Sequence, residues 1–70
     1  MTYHDLIRDQ RLKLSLTQAD LAERLDCTRQ HIRDMERGRI VISNRECKRI
    51  AAILRLDAAA LIDQKNSDSF

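Results

Sequence analysis

Five side chains between positions 29 and 37 can grip an ordered array of polar groups. Arg29, Arg33 and Arg37 carry planar guanidinium forks, Gln30 an amide and Asp34 a carboxylate. A guanidinium can donate two parallel hydrogen bonds, and a carboxamide can donate one while accepting another. The edges of stacked base pairs ask for these patterns in the major groove of DNA. Guanine offers two acceptors there, and adenine an acceptor beside a donor. Spacing decides whether the side chains can act together. With Ile32 and Met35 facing inward on a helix, Gln30, Arg33, Asp34 and Arg37 cover the opposite face, and Arg29 and His31 stand at its N-terminal edge.

A reading helix must be anchored, and the stretch from Thr17 to Gly38 supplies the anchor. It reads as two short helices joined by a tight turn, one over about Gln18 to Leu25 and one over about Arg29 to Arg37. Thr17 caps the first with Asp20 as its capping-box partner, and Thr28 caps the second. Gly38, the only glycine, falls where a helix needs a left-handed residue after its last turn. Leu21 and Leu25 share one face, Ala22 lets a second helix cross closely, and Cys27 sits in the turn.

Charge follows the same division. The formal net charge is only +2, but residues 29–49 hold seven basic and three acidic side chains, and the segments on either side are each net negative by one. A basic block over the proposed reading helix and the segment after it is the footprint of a nucleic-acid face. The alternative, a solvated basic surface, carries equal weight on charge alone.

Seventy residues allow one domain with a small core. A core of this size supplies about 3–5 kcal/mol, so dimerisation is a plausible helper. Apolar residues at 43% and charged residues at 34% describe a folded domain. No apolar run is long enough for a membrane span, and no signal-peptide pattern opens the chain. Cys27 and Cys47 lack the spacing and histidine partners of a zinc site, and both are expected to be buried, reduced thiols in a cytoplasmic protein. There is no glycine-rich phosphate loop, nucleophile set or ligand cluster, so neither catalysis nor a cofactor or metal is expected.

In chain order, helix 1 is expected over Thr2 to Leu14, with Thr2 and Asp5 as its cap signal. Helices 2 and 3 follow. Ile40-Val41-Ile42 links to helix 4, which opens on the capping box Ser43 to Glu46 and carries the stripe Cys47, Ile50, Ala51 and Leu54. Asp57 caps a short helix 5 through Ala58 to Ile62. Apolar pairs at hydrophobic-staple spacing flank all five starts: Met1 and Leu6, Leu16 and Leu21, Cys27 and Ile32, Ile42 and Cys47, Leu56 and Leu61. The expectation is an all-α, compact five-helix bundle, with a domain over 1–63 and a frayed polar tail over 64–70. His4 is expected to be solvated.

Thr17-Gln18, Leu21-Ala22, Leu25, Ile32, Met35-Glu36 and Gly38-Arg39 together resemble the helix-turn-helix of phage repressor and Cro-like regulators, the XRE family. The resemblance runs from about Leu6 to Ile62 and implies a lambda-repressor-like bundle whose third helix enters the major groove. It implies that Gln18 bonds the DNA backbone, that Arg29 and Gln30 read bases with Asp34 one turn on, and that Arg11 pairs with Glu36. The helical wheel independently puts Glu36 near the buried edge, where a charge needs a partner. Three glycines usual in the family are replaced by Ser15, Asp26 and Arg55, and Ala58-Ala59-Ala60 stands where helix 5 often carries an aromatic. Asp tolerates a left-handed backbone better than most residues, so the turn at Asp26 is kept, at some strain.

Roles are then assigned. Arg29, Gln30, Asp34 and Arg33 are the base-reading set, although phosphate suits Arg33 as well. Asp34 either accepts from cytosine N4 or holds Arg29 or Gln30 in position. Gln18, Thr28, His31, Arg37, Arg39 and Arg45 form the phosphate set, with His31 equally a plain third helical residue. Ile40, Val41, Ile42, Ala59, Leu61 and Ile62 are the dimer candidates, because three consecutive apolar linker residues are hard to bury together. The sequence thus points to a sequence-specific, double-stranded DNA-binding transcriptional regulator, expected to be a repressor that binds a pseudo-palindromic operator as a homodimer, cytoplasmic and bacterial or phage-encoded. The alternative is a protein-interaction module, such as an antitoxin, with DNA binding secondary.

Overall fold

Side-chain caps set where the helices of this chain begin. A computed structural model describes residues 1–68 and contains α1 (Tyr3–Lys13), α2 (Gln18–Leu25), α3 (Arg29–Glu36), α4 (Asn44–Leu54) and α5 (Ala58–Asp68). Thr2 with Asp5 and Thr17 with Asp20 form complete capping boxes. The Thr28 hydroxyl accepts from the His31 amide at 3.1 Å, and Asp57 Oδ1 from the Ala59 amide at 3.0 Å. Each bond satisfies an amide that the helix itself cannot.

At α4 the expected box is only half made. Ser43 accepts from the Glu46 amide, but the Glu46 carboxylate turns away to the His31 ring, 2.6 Å distant. A side chain on another helix thus takes the carboxylate that would have bonded the backbone amide of Ser43.

The helices close around one core. α2 packs mainly on α3 and α4 on α5, while α1 lies against α3, α4 and α5. Ile7, Leu21, Ile32, Met35, Ile42, Cys47, Ile50 and Leu54 are fully buried. Both members of four of the staple pairs lie in or against this core. The pair at α1 does not, because Met1 is 75% exposed.

Two expectations need correction. Helix α5 does not stop near Ile62 with a frayed tail but continues to Asp68. Its polar last turns are held by partners far away in sequence. Lys65 Nζ donates to Ile42 O at 3.0 Å and to Asn44 Oδ1 at 2.7 Å, and Asp68 Oδ2 accepts from the Tyr3 amide at 2.6 Å. The last two residues of the expected tail, 69 and 70, lie outside the described residues. His4 is half-buried, not solvated. Its ring lies against Tyr3, with centroids 3.9 Å apart and planes tilted by 38°, and covers Gly38. Gly38 has φ +73°, and a Cβ there would meet the His4 ring at 3.3 Å. Backbone conformation and close packing therefore both require glycine at this position.

The left-handed region is also occupied by three residues with side chains: Ser15 (φ 58°), Asp26 (φ 56°) and Arg55 (φ 59°). Asp26 and Arg55 end α2 and α4, and Ser15 follows the end of α1. A Cβ in this region crowds the following carbonyl at about 1–2 kcal/mol, and Asp less than most. Arg55→Gly and Ser15→Gly are each expected to raise unfolding free energy by about 1 kcal/mol in urea titrations, and Asp26→Gly by less. An unchanged midpoint for Arg55→Gly would show that its left-handed turn carries no strain.

Candidate nucleic-acid interface

Helix α3 is fastened by its inner side. Ile32 and Met35 are fully buried, and Glu36 is 7% exposed beside Arg11, also 7% exposed. Arg11 Nε donates to Glu36 Oε2 at 2.7 Å and Nη2 to Oε1 at 2.9 Å, a two-pronged pair. The remaining prong, Nη1, donates to Leu16 O at 2.8 Å. One guanidinium thus joins α1, the loop before α2 and the end of α3. Gln18 Nε2 adds a bond to Glu36 Oε1 at 3.3 Å, which ties the start of α2 to the same carboxylate.

These bonds fix how α2 meets α3. The opening residues Thr17, Gln18 and Ala19 line a groove of about 440 Å³ together with Arg29, Arg33, Leu12 and Leu16. Free amides at a helix start beside two guanidinium groups make a setting for an anion. The carboxyl of Asp20, in the first turn of α2, is held below its ordinary range by its bonds from the Thr17 backbone and hydroxyl.

The outer face of α3 is open. Arg29, Gln30 and Arg37 are exposed, and Arg33 and Asp34 half-buried. Gln30 Nε2 donates to Asp34 Oδ1 at 2.9 Å, one turn along the same face. The Arg39 guanidinium reaches to 4.0 Å of the same carboxylate and is 63% exposed. Thr28 is exposed, its oxygen already accepting the capping bond.

The candidate residues do not all converge. His31 turns to α4, where its Nε2 meets Glu46 at 2.6 Å, so the expectation of a phosphate contact is corrected to a brace between α3 and α4. Arg45 is exposed in a separate concavity with Ser43, Glu46 and Arg49. Arg49 has a role that its place in the basic block concealed. Its Nη2 donates to Leu25 O at 3.0 Å and satisfies a carbonyl at the end of α2. No local pattern announces a bond between residues 24 positions apart.

The dimer set divides as well. Ile42 and Leu61 are 2% exposed and belong to the protein's own core, which corrects their assignment. Ile40 and Ile62 are half-buried against that core. Val41, 83% exposed, and Ala59 remain on the surface. Of the thiols, Cys47 is buried and Cys27 only half-buried, and burial raises both above the ordinary thiol range. Among the described residues, no group of three or more His, Cys, Asp or Glu side chains could hold a metal ion. No helix among them is long and apolar enough to cross a membrane.

Comparison with known proteins agrees with this geometry. A family model described as helix-turn-helix matches residues 7–61, from α1 into α5. Among curated proteins, the "ImmF control region 10 kDa protein" of Bacillus phage phi105 is 36% identical over 56 residues. That match takes in 80% of this chain and 62% of the relative, so the chain spans less than two thirds of the relative's length. No solved structure matches.

The Arg11–Glu36 geometry gives a direct test. Removing one partner leaves a buried charge uncompensated, which destabilises by about 3–5 kcal/mol. Glu36→Ala is therefore expected to leave a domain of this size largely without helical circular dichroism at 37 °C. Glu23→Ala, on the exposed side of α2, should change stability by no more than about 0.5 kcal/mol.

Proposed function

The chain belongs to the helix-turn-helix family of phage repressor and Cro-like DNA-binding regulators, and on that footing we propose that it is a transcriptional repressor reading a pseudo-palindromic operator. The observation that carries this reading is the outer face of α3, where Arg29 and Gln30 stand exposed opposite the buried Ile32 and Met35. Beside it lies the groove between the start of α2 and Arg33. Helix α3 enters the major groove, and Arg29 bonds a guanine edge through two donors. The opening amides of α2 and Gln18 meet one phosphate. Arg33, within the same groove, serves that backbone strand, and Arg37, Arg39, Arg45 and the Thr28 hydroxyl serve the rest.

Two copies act together, with their α3 helices about 34 Å apart on successive turns of the duplex. Val41 and Ala59 supply the exposed contact and Ile40 and Ile62 its half-buried margin. Repression follows from occupying promoter DNA, in the cytoplasm of a bacterium or phage host. The phage relative's description as a control-region protein supports a regulatory role.

Fluorescence anisotropy with operator and random duplexes tests the assignment. Arg29→Ala is expected to relax preference at one base pair and to lose about 1–3 kcal/mol on the operator. Arg39→Ala should weaken binding to both duplexes alike and reduce the salt slope by about one. Equal losses on both duplexes for Arg29→Ala would remove it from the base-reading set.

A further inference from the structure

The amide of Gln30 bonds a carboxylate on its own helix face. Its Nε2 donates to Asp34 Oδ1 at 2.9 Å, one helical turn along the same face. The main chain at Asp34 is tied to the segment after α3. Its carbonyl oxygen accepts from the Arg39 amide at 2.9 Å, and its carboxylate lies 4.0 Å from the Arg39 guanidinium. A carboxamide turned over by 180° would set its oxygen against the carboxylate, acceptor against acceptor. The pair therefore keeps Gln30 Oε1 turned away from Asp34 and leaves the second N–H free. Arg29, the neighbouring exposed donor, has no hydrogen-bond partner among the described residues and keeps its freedom.

Two consequences bear on base choice. An amide held with one acceptor and one donor free can pair with an edge that offers a donor beside an acceptor. Adenine does so through N6–H and N7. A carboxylate near that edge also repels bases that present only acceptors. Guanine shows N7 and O6 there, and thymine O4. Cytosine offers its N4 amino group but no neighbouring acceptor for the second N–H. Fixed orientation and fixed charge both select the same base.

We propose that the Gln30–Asp34 pair is an adenine reader, in which Gln30 contacts the base and Asp34 is a positioning residue that sets the order of its donor and acceptor. This inference rests on the DNA-binding reading above and adds the base that one position of each half-site must carry. It also favours one strand for that adenine, because an amide turned over would lose its bond to Asp34.

The test is a selection from randomised duplexes with the wild-type chain, Gln30→Ala, Asp34→Ala and Asp34→Asn. Helical circular dichroism first confirms that each is folded. The wild type should select adenine at one position per half-site, with about tenfold or greater discrimination. Asp34→Ala should lose that preference at the same position as Gln30→Ala and keep the preference set by Arg29. Asp34→Asn, whose amide can face Gln30 with either its oxygen or its nitrogen, should admit guanine or thymine there. Base analogues give a readout that protein folding does not affect. Purine, which lacks the 6-amino group, and 7-deazaadenine, which lacks N7, should each weaken wild-type binding and leave Asp34→Ala unmoved.

Guanine, thymine or cytosine at the Gln30 position overturns the inference and leaves the DNA-binding reading intact. So does an adenine preference that survives Asp34→Ala. A wild-type selection that yields no motif at all overturns both.

Discussion

The arrangement of this domain depends on one buried ion pair. Arg11 and Glu36 are each 7% exposed, and the guanidinium satisfies both carboxylate oxygens and a backbone carbonyl. A pair so deeply buried gives up much hydration, and an apolar pair of equal volume often stabilises a fold as well or better. Its contribution here is direction. Apolar contacts between Leu21, Leu25, Ile32 and Met35 hold α2 against α3 but tolerate sliding and rotation. A two-pronged bond from α1 to the last turn of α3 has one geometry, and the third donor prong places the loop before α2. The direction of α3 is thus set at the end away from Arg29 and Gln30.

A second constraint is the sharp turning of short helices around so small a core. The chain does so with left-handed residues at 15, 26, 38 and 55, of which only Gly38 is free of a Cβ. The single glycine stands where packing requires it, under the His4 ring. At 26 and 55 the burial of the helix that ends there offsets the strain. Leu25 precedes Asp26 at 3% exposure and Leu54 precedes Arg55 at 0%. A local preference yields to tertiary packing when apolar area of that order is removed from water.

This contrast explains what could be read from the sequence. All five caps, the α2 and α3 boundaries and most of the core were legible because they rest on contacts within one helical turn, or on a 3.6-residue apolar period. The Arg11–Glu36 pair was legible from the resemblance, and independently because a charge on the buried edge of α3 needs a partner. What the sequence concealed was long-range and polar. Lys65 and Asp68 look like solvated tail residues until Ile42, Asn44 and the Tyr3 amide are seen to receive them. His31 looks like a phosphate ligand until Glu46 appears on the next helix. Polar side chains have no period to betray their partners, and three adjacent apolar residues such as Ile40 to Ile42 do not say which one points inward.

The braces on α3 also bear on how a duplex would be met. At its end Glu36 joins α3 to α1 and α2, and near its start His31 joins it to α4. Gln18 is caught in the first of these braces. One of its N–H groups goes to Glu36, which leaves the other N–H and the oxygen directed by a buried, charge-compensated anchor. A phosphate at the start of α2 would therefore meet a donor already oriented, and Gln30 would reach the base already oriented by Asp34. Side chains ordered before contact lose less conformational entropy on contact. Arg37 and Arg39, the more loosely held cations, remain free to adapt to backbone geometry that varies from site to site. Rigid groups would then select the sequence, and mobile charges would supply the salt-dependent attraction that does not select.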